Sequence, residues 1–370
     1  MSHRRIVVKV GSSSLTDAGG QLAPDRIQVL VDNIAELRDR DGCQVILVTS
    51  GAVAAGVSHL RWQRATVTVP EKQAAAAVGQ GLLIDTYQRL FADLDIPIAQ
   101  LLLTRSDIED RKRFIHIRNT TETLLFHHII PIINENDTVA VDEIRFGDND
   151  TLASLVALVT EADLLILLTD IDGLYTDNPR LNNDAKRISD VWEITDEMEG
   201  MAGGHGSSVG TGGMRTKLAA ARIATQSGID VVIASSNVEH VLHKIVDSHS
   251  VGTHFHARKD SLRGKRSWMI HGTRVEGQLI IDDGAVTALS EHSGSLLLPG
   301  VVDVIGDFHE GAIVEMMSLQ GSSIAKGAVN FAASDLRILL DRRKSGERVS
   351  NVDEVVHRNE MAITLERSRS

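Results

Sequence analysis

Ile6-Val7-Val8-Lys9-Val10-Gly11-Ser12-Ser13-Ser14 is an almost wholly β-branched run that carries one charge and stops at a glycine followed by three small hydroxyl residues. β-Branched side chains favour strands. Apolar residues at consecutive rather than alternate positions mark a strand covered on both faces, as in a parallel sheet. Lys9 is the anomaly. In such a strand it costs desolvation unless it meets an anion; the bland alternative is an edge strand with its lysine turned outward. Gly11-Ser12-Ser13 supplies small, donor-rich backbone next to it.

The same strand-then-helix rhythm continues outward from this run. Residues 25–40 have helical periodicity, with Ile27, Leu30, Val31, Ile34 and Leu37 on one face. Residues 45–48, 98–103, 129–133, 164–168 and 231–234 read as strands. Residues 71–94 (alanine-rich), 107–128, 151–161 and 214–227 read as helices. Alternation of this kind predicts a mostly parallel sheet with helices on both faces. Ligands bind beyond the carboxyl ends of such strands, so the residues that follow them carry the functional weight: Gly11-Ser12-Ser13, Thr49-Ser50-Gly51, Asn134 to Asp137, and Thr169-Asp170.

After residue 256 the rhythm is lost. Six basic residues (Arg258, Lys259, Arg263, Lys265, Arg266, Arg274) stand against one acid, Asp260, and residues 257–275 read as a linker. From residue 276 to 356 short strands with turns at Asp283-Gly284, Pro299-Gly300 and Glu310-Gly311 predict a small, mostly-β domain. Residues 357–370 read as a charged tail.

Composition bounds the function. The chain has 370 residues, 42% hydrophobic and 24% charged, with a net charge of -12. That is globular composition with room for two or three domains. The acidic balance disfavours a general nucleic-acid coat or an anionic membrane partner. One cysteine, Cys43, allows no intrachain disulfide, which fits a reducing, cytoplasmic location. No apolar run is long enough to span a bilayer. The fifteen histidines give no metal constellation: His240 and His243 stand at helical spacing without a Glu-x-x-His partner, so no protein metal ligand is assigned.

Three further segments can carry chemistry. Six glycines fall within residues 203–213, just before a predicted helix that holds Lys217 in its first turn. Glycine-rich backbone and a helix N-terminus together suit phosphate, although a flexible surface loop has the same composition, and neither G-x-x-x-x-G-K-[ST] nor G-x-G-x-x-G is present. Ile133-Asn134-Glu135-Asn136-Asp137 and Gly147-Asp148-Asn149-Asp150 form two acid- and amide-rich turns. They suit an ammonium group, a metal, or merely Asx turns. Ser50-Gly51-Ala52 ends a strand and could offer backbone N–H groups to a carboxylate, or could be a packing turn.

Read together, VVKVGSSSL (7–15), VTSGAVAAG (48–56), INEND (133–137), GDND (147–150), LLTDIDGLYT (167–176) and GTGGMRTK (210–217) closely resemble the glutamate 5-kinase family of the amino acid kinase superfamily. The resemblance runs nearly end to end, and the C-terminal segment looks like the PUA domain that many bacterial members append. It implies a three-layer α/β/α sandwich around a mainly parallel eight-stranded sheet. It also implies ATP-dependent phosphorylation of the L-glutamate side chain, the opening step of proline biosynthesis, with Mg²⁺ as cofactor and proline as feedback inhibitor. By the same resemblance, Ser50, Gly51, Ala52, Asn134, Asp137, Asp148 and Asn149 would hold glutamate. Lys9, Gly11, Ser12, Thr169, Asp170, Thr211, Gly212, Gly213, Met214, Arg215, Thr216 and Lys217 would bind ATP. Lys9 and Lys217 would flank the phosphates with Asp150 organising them, and the enzyme would be a homo-oligomer, a dimer or tetramer. One departure from the family pattern is Leu297-Leu298-Pro299-Gly300, whose glycine comes one position early.

Two rival readings stand beside this one. The chain could phosphorylate another amino acid, a carboxylate or a nucleotide. Alternatively, the C-terminal domain could make it an RNA-binding protein. Residues 276–370 hold nine basic against fifteen acidic residues, and aromatic residues are 3% of the chain, so electrostatic capture and base stacking are both poorly supplied.

Overall fold

In a computed structural model, described apart from residues 1–4, 18, 40–42, 64–65, 140–148, 178, 180–181, 183, 203–212, 248–249, 259–264, 293, 347–353 and 365–370, the chain forms two compact units, residues 1–263 and 264–370.

The first unit is built on β1 (Arg5–Val10), α1 (Ser12–Leu15), α2 (Pro24–Arg38), β2 (Gln44–Val48), α3 (Ala52–His59), α4 (Val69–Ala92), β3 (Ile98–Leu103), α5 (Arg105–Glu109), α6 (Arg111–Phe126), β4 (Ile130–Glu135), α7 (Asn149–Val159) and β5 (Leu164–Thr169). It continues through β6 (Leu174–Tyr175), β7 (Arg187–Ile188), β8 (Asp190–Val191), α8 (Asp196–Ala202), α9 (Met214–Gln226), β9 (Asp230–Ser235), α10 (Val241–Val246) and β10 (Thr253–Phe255). Eight described strands form one sheet in the order β3-β4-β2-β1-β5-β9-β10-β8. The first six are mutually parallel, and β10 runs antiparallel to β9.

β1 is central, not an edge. Lys9 lies opposite Val48 on one side and Leu167 on the other. Side-chain alternation sorts the strands between two cores. Ile6, Val8, Leu47, Ile132 and Ile166 pack with α2, α4 and α10 on one face. Val7, Val48, Ile133, Leu165 and Ile233 pack with α6, α7 and α9 on the other. The result is the predicted three-layer α/β/α sandwich, and alternation puts Lys9 on the Val7 face, under α7 and α9. No helix among the described residues is long and apolar enough to cross a membrane.

The stretch 107–128, read as mostly helical, holds the end of α5 and all of α6. Asp110 breaks it in an extended conformation, and its carboxylate accepts from Lys112 N and Arg113 N to cap α6.

In the second unit, β11 (Gly277–Ile281), β12 (Val301–Gly306), β13 (Ile313–Ser318), β14 (Ser323–Val329) and β15 (Val356–Ile363) form a sheet ordered β12-β11-β13-β14-β15. Three elements depart from the sequence reading. Within the stretch read as linker, Lys265–His271 is a helix, α11, with Trp268 and Met269 buried; the surrounding basic residues mask that short apolar stretch. The Asp283-Gly284 turn instead opens a helix, α12 (Asp283–His292), whose Ala285 N is capped by Asp282 Oδ1 at 2.7 Å, and α13 (Ala333–Lys344) packs Leu336 and Leu340 into the same core. The expected tail is in part strand β15, which pairs with β14 and buries Val356, Met361 and Ala362.

α3 and α4 touch backbone to backbone. A Cβ on Gly79 would lie 1.8 Å from the Ala52 carbonyl oxygen, and one on Gly56 would lie 1.8 Å from that of Ala75. Gly79→Ala is expected to destabilise the protein by about 1–3 kcal/mol, because backbone must move to admit the methyl. Gly81→Ala on the same helix, where a Cβ meets nothing within 4 Å, is expected to be neutral or to stabilise by up to about 1 kcal/mol. Melting temperatures of the two variants check the contrast; equal shifts would refute the close approach.

Candidate active site

Three core-facing positions at one end of the sandwich carry charge where the pattern calls for apolar residues. On α7 the buried stripe is Asp150, Ala153, Ser154 and Ala157; on α9 it is Lys217, Ala220, Ala221 and Ala224. Both follow the i, i+3, i+4, i+7 helical repeat. Each stripe begins in the first turn with an ionisable group, and β1 contributes Lys9 beneath them. Lys9 Nζ donates to Asp150 Oδ1 at 2.6 Å, and Lys217 Nζ donates to Asp150 Oδ2 at 3.1 Å. Thr216 Oγ1 lies 2.7 Å from Asp150 Oδ2 and 2.8 Å from Gly213 O. Lys9 and Lys217 are each 5% exposed and Asp150 is 1% exposed.

Burial pushes the Asp150 carboxyl up, but the Lys9 and Lys217 charges and the hydrogen bonds from Lys9 and Thr216 together outweigh it. The group is therefore held well below the usual carboxylate range. For Lys217, burial pushes the ammonium down. Asp150 offsets part of that shift, and the like charge of Lys9 adds to it. Two ammonium groups thus share one carboxylate, and the Asp170 carboxylate also favours the charged form of Lys217.

Beside the triad lies a polar cluster at the ends of β2 and β4. Asn149 Nδ2 lies 3.0 Å from Thr49 O, 2.8 Å from Ser50 Oγ and 3.2 Å from Asn134 Oδ1. Asn134 Nδ2 donates to Gln80 Oε1 at 2.8 Å. Thr49 Oγ1 and the Tyr87 hydroxyl are 2.9 Å apart. Asn149 Oδ1 is buried with no hydrogen-bond partner among the described residues. Gly51 has φ +102 and precedes α3, a backbone conformation that favours glycine.

The structure thus brings Lys9, Asp150, Thr216 and Lys217 together, and Ser50, Asn134 and Asn149 together. Gly11 borders the triad: a Cβ there would lie 3.9 Å from Lys9 Nζ. Ser12 opens α1, and its carbonyl accepts from Thr16 Oγ1 at 2.9 Å. Asp137 is half-buried in the turn after β4. Thr169 ends β5, with its hydroxyl donating to the exposed Asp170 at 3.0 Å. Ala52 starts α3, while Gly213 caps α9 ahead of Met214 and the exposed Arg215. Asp148, Thr211 and Gly212 lie outside the described residues. Gln80 and Tyr87 escape a sequence reading: in an alanine-rich helix, the only signal they give is a polar group on a buried stripe.

The sequence model of the Amino acid kinase family matches residues 4–235, and that of the PUA domain matches residues 277–352. The chain is 45% identical to a glutamate 5-kinase of Carboxydothermus hydrogenoformans, over 97% of each chain. It is 44% identical to a glutamate 5-kinase of Proteus mirabilis, over 98% of this chain and 100% of that one. It is 45% identical to a glutamate 5-kinase of Geobacter sulfurreducens, over 97% of each.

Removing the shared carboxylate leaves two buried ammonium groups facing each other. Asp150→Asn is expected to cost about 3–5 kcal/mol in denaturant unfolding. Because the folded-state pKa of Asp150 lies below its unfolded value, its contribution is complete above the unfolded carboxylate pKa of about 3.9 and is lost as pH falls through the folded value. The stability gap between wild type and variant is therefore expected to be flat from about pH 7 to pH 5 and to narrow only under stronger acid. A gap that closes between pH 7 and pH 5 would refute the assignment.

Proposed function

We propose that this chain, which belongs to the glutamate 5-kinases of the amino acid kinase family, uses the Lys9–Asp150–Lys217 triad to transfer the γ-phosphoryl group of ATP to the side-chain carboxylate of L-glutamate. The reaction gives L-glutamyl 5-phosphate and opens proline biosynthesis. The observation that supports the site assignment is the convergence of two buried ammonium groups, Lys9 and Lys217, on one carboxylate, donors suited to the anionic oxygens of the transferring phosphoryl group.

A glutamate carboxylate is already ionised at neutral pH, so the nucleophile needs no general base. Catalysis then rests on positioning and on charge neutralisation. Lys9 and Lys217 stabilise charge on the equatorial oxygens of the γ-phosphoryl group as it passes from the leaving oxygen to the attacking one. Asp150 holds both ammonium groups in place, and Thr216 fixes the carboxylate in turn. The glycine-rich approach to α9, together with Gly11-Ser12 and Thr169-Asp170, frames the ATP side.

On the glutamate side, Asn149 Oδ1, which has no hydrogen-bond partner among the described residues, is an acceptor suited to the α-ammonium group, with Asp137 as its counter-charge. Asn134 orients Asn149, and Ser50 with the Gly51-Ala52 backbone suits the α-carboxylate. Both Asp150 oxygens are occupied by Lys9, Lys217 and Thr216, so this carboxylate does not fit as a metal ligand. Mg²⁺ would instead be held mainly by phosphate oxygens and water, where it neutralises phosphate charge.

We place the reaction in the cytoplasm, in a homo-oligomer, with proline as feedback inhibitor. Proline shares the α-carboxylate and a cationic nitrogen with glutamate, which supports an overlapping site.

An ATP-dependent hydroxamate assay with L-glutamate, D-glutamate, N-acetylglutamate and aspartate in parallel tests both activity and substrate, since acyl phosphates are trapped as hydroxamates. Lys9→Ala and Lys217→Ala are each expected to lower kcat by at least ~10²; a rate within about threefold of wild type at saturation would remove that lysine from the mechanism. Asp137→Asn is expected to raise the glutamate KM far more than the ATP KM, and equal effects would argue against an ammonium contact. All the assigned residues precede residue 218. A chain truncated after residue 263 is therefore expected to keep glutamate kinase activity, and a folded but inactive truncation would show that the second unit is required.

A further inference from the structure

At the far edge of the large sheet, His254 on β10 pairs directly with Asp190 on β8, and Phe255 pairs with Val191. Directly paired residues point to the same face of a sheet, and so do residues two apart on one strand. Val191 and Phe255 turn into the core, 3% and 0% exposed. Asp190, His254 and His256 must therefore share the opposite face. Their metal-binding atoms all lie within 4.8 Å of one another, and they are the one such group among the described residues. His256 Nε2 is 2.9 Å from Asp190 Oδ1, and the His254 and His256 ring centroids are 4.1 Å apart. Among the described residues His254 Nε2 is buried without a hydrogen-bond partner, and Asp230 Oδ1 lies 3.8 Å from it. Trp192, two residues beyond Asp190, stacks on the His256 ring at 3.7 Å and 7° and fixes its plane.

We propose that Asp190, His254 and His256 bind a divalent transition-metal ion of the zinc class, in a site separate from the phosphoryl-transfer triad. Cross-sheet register places His254 level with Val232, Ile166 and Val8, three strands from β1 and so about 14 Å from it at the usual strand spacing. Two imidazoles and a carboxylate form the nitrogen and oxygen donor set that zinc accepts, and three protein ligands leave a position for water. A tetrahedral ion with bonds of about 2.0–2.2 Å holds its donors about 3.3–3.6 Å apart, within reach of small side-chain adjustments here. Histidines at i and i+2 are a strand's means of aiming two rings at one ion. A search for metal sites at helical spacing passes over them, which is why the sequence reading assigned no ligand. The ion would clasp β8, two residues long, to β10, three residues long, where backbone pairing joins only two residue pairs.

The test uses the full chain, free of any affinity tag and stripped with EDTA, titrated with Co²⁺ while its visible d–d absorption is followed. One equivalent is expected to bind, Zn²⁺ is expected to abolish the signal, and Zn²⁺ is expected to raise the melting temperature. His254→Gln, His256→Gln and the exposed-site variant Asp190→Asn are each expected to weaken Co²⁺ binding at least about tenfold, the low end of the loss seen when even an outer-shell partner is removed. Mg²⁺-dependent kinase activity is expected to stay at wild-type level in all three, which reports that they fold. A double variant, His240→Gln with His243→Gln, removes the two histidines that pair with Glu36 and is expected to bind Co²⁺ as wild type does. The proposal is overturned if the wild-type chain binds no stoichiometric Co²⁺, if the three site variants bind as tightly as wild type, or if binding is lost with His240 and His243 instead.

Discussion

Two buried lysines on one buried carboxylate are the constraint around which the first unit is arranged. Each charge taken from water carries a desolvation cost of several kcal/mol, and a single ion pair seldom recovers more than that cost. A stable fold without further demands would place leucine or alanine at these three core positions. Here the three charged groups share hydrogen bonds of 2.6 and 3.1 Å, with Thr216 as a fourth partner. Asp150 is fully committed to these donors. This arrangement stabilises less than an apolar core would, but it holds an anion-attracting field in fixed geometry, where no solvent need reorganise as charge moves.

Holding that field in place falls to three elements whose positions are set by ordinary packing. β1 is locked between β2 and β5, so Lys9 cannot turn out to solvent as it could on an edge. α7 and α9 lie on the sheet through alanine-rich stripes, and small side chains bring their first turns down close to β1. On the other side of β1, the glycine contacts between α3 and α4 set the start of α3, and with it Ser50-Gly51-Ala52, against the end of β2. The proposed phosphoryl side and the proposed amino-acid side therefore depend on different packing devices that meet at Asn149 and Asp150, adjacent residues that begin α7.

Much of this was legible in the sequence because the signals break a pattern. Lys9 interrupts an apolar strand, Lys217 follows a glycine-rich stretch, and Asn149-Asp150 closes an acidic turn; each is a violation that asks for a partner. The partners themselves were less legible. That both lysines converge on Asp150, rather than Asp150 serving as one acid among several, depends on register across 141 residues of chain, which no local pattern encodes. Gln80 and Tyr87 are hidden because a long alanine-rich helix gives no reason to single out one polar group. In the second unit the errors run the other way. Basic residues around Trp268-Met269 made a helix look like a linker, and charges at the end of the chain concealed the alternation of β15. In both cases a few buried apolar residues decide the structure, and local charge density drew the reading away from them.

The two charged clusters of the first unit show how one sheet gives opposite electrostatic results. At the carboxyl end of β1, two cations and one anion come from three different elements and are sealed by helices. At the β8–β10 edge, two imidazoles and one carboxylate come from two short strands and the residue that follows β10, and lie partly open to water. An imidazole nitrogen can serve as a metal ligand, whereas an ammonium group offers only donors. The interior cluster therefore presents ammonium donors to an anion, and the edge cluster presents imidazole nitrogens and a carboxylate to a cation. Strand alternation generates both: Lys9, two residues from Val7, faces the helix-covered core and the proposed phosphoryl site, whereas Asp190, next to Val191, faces away from that core as part of the proposed metal-type donor set.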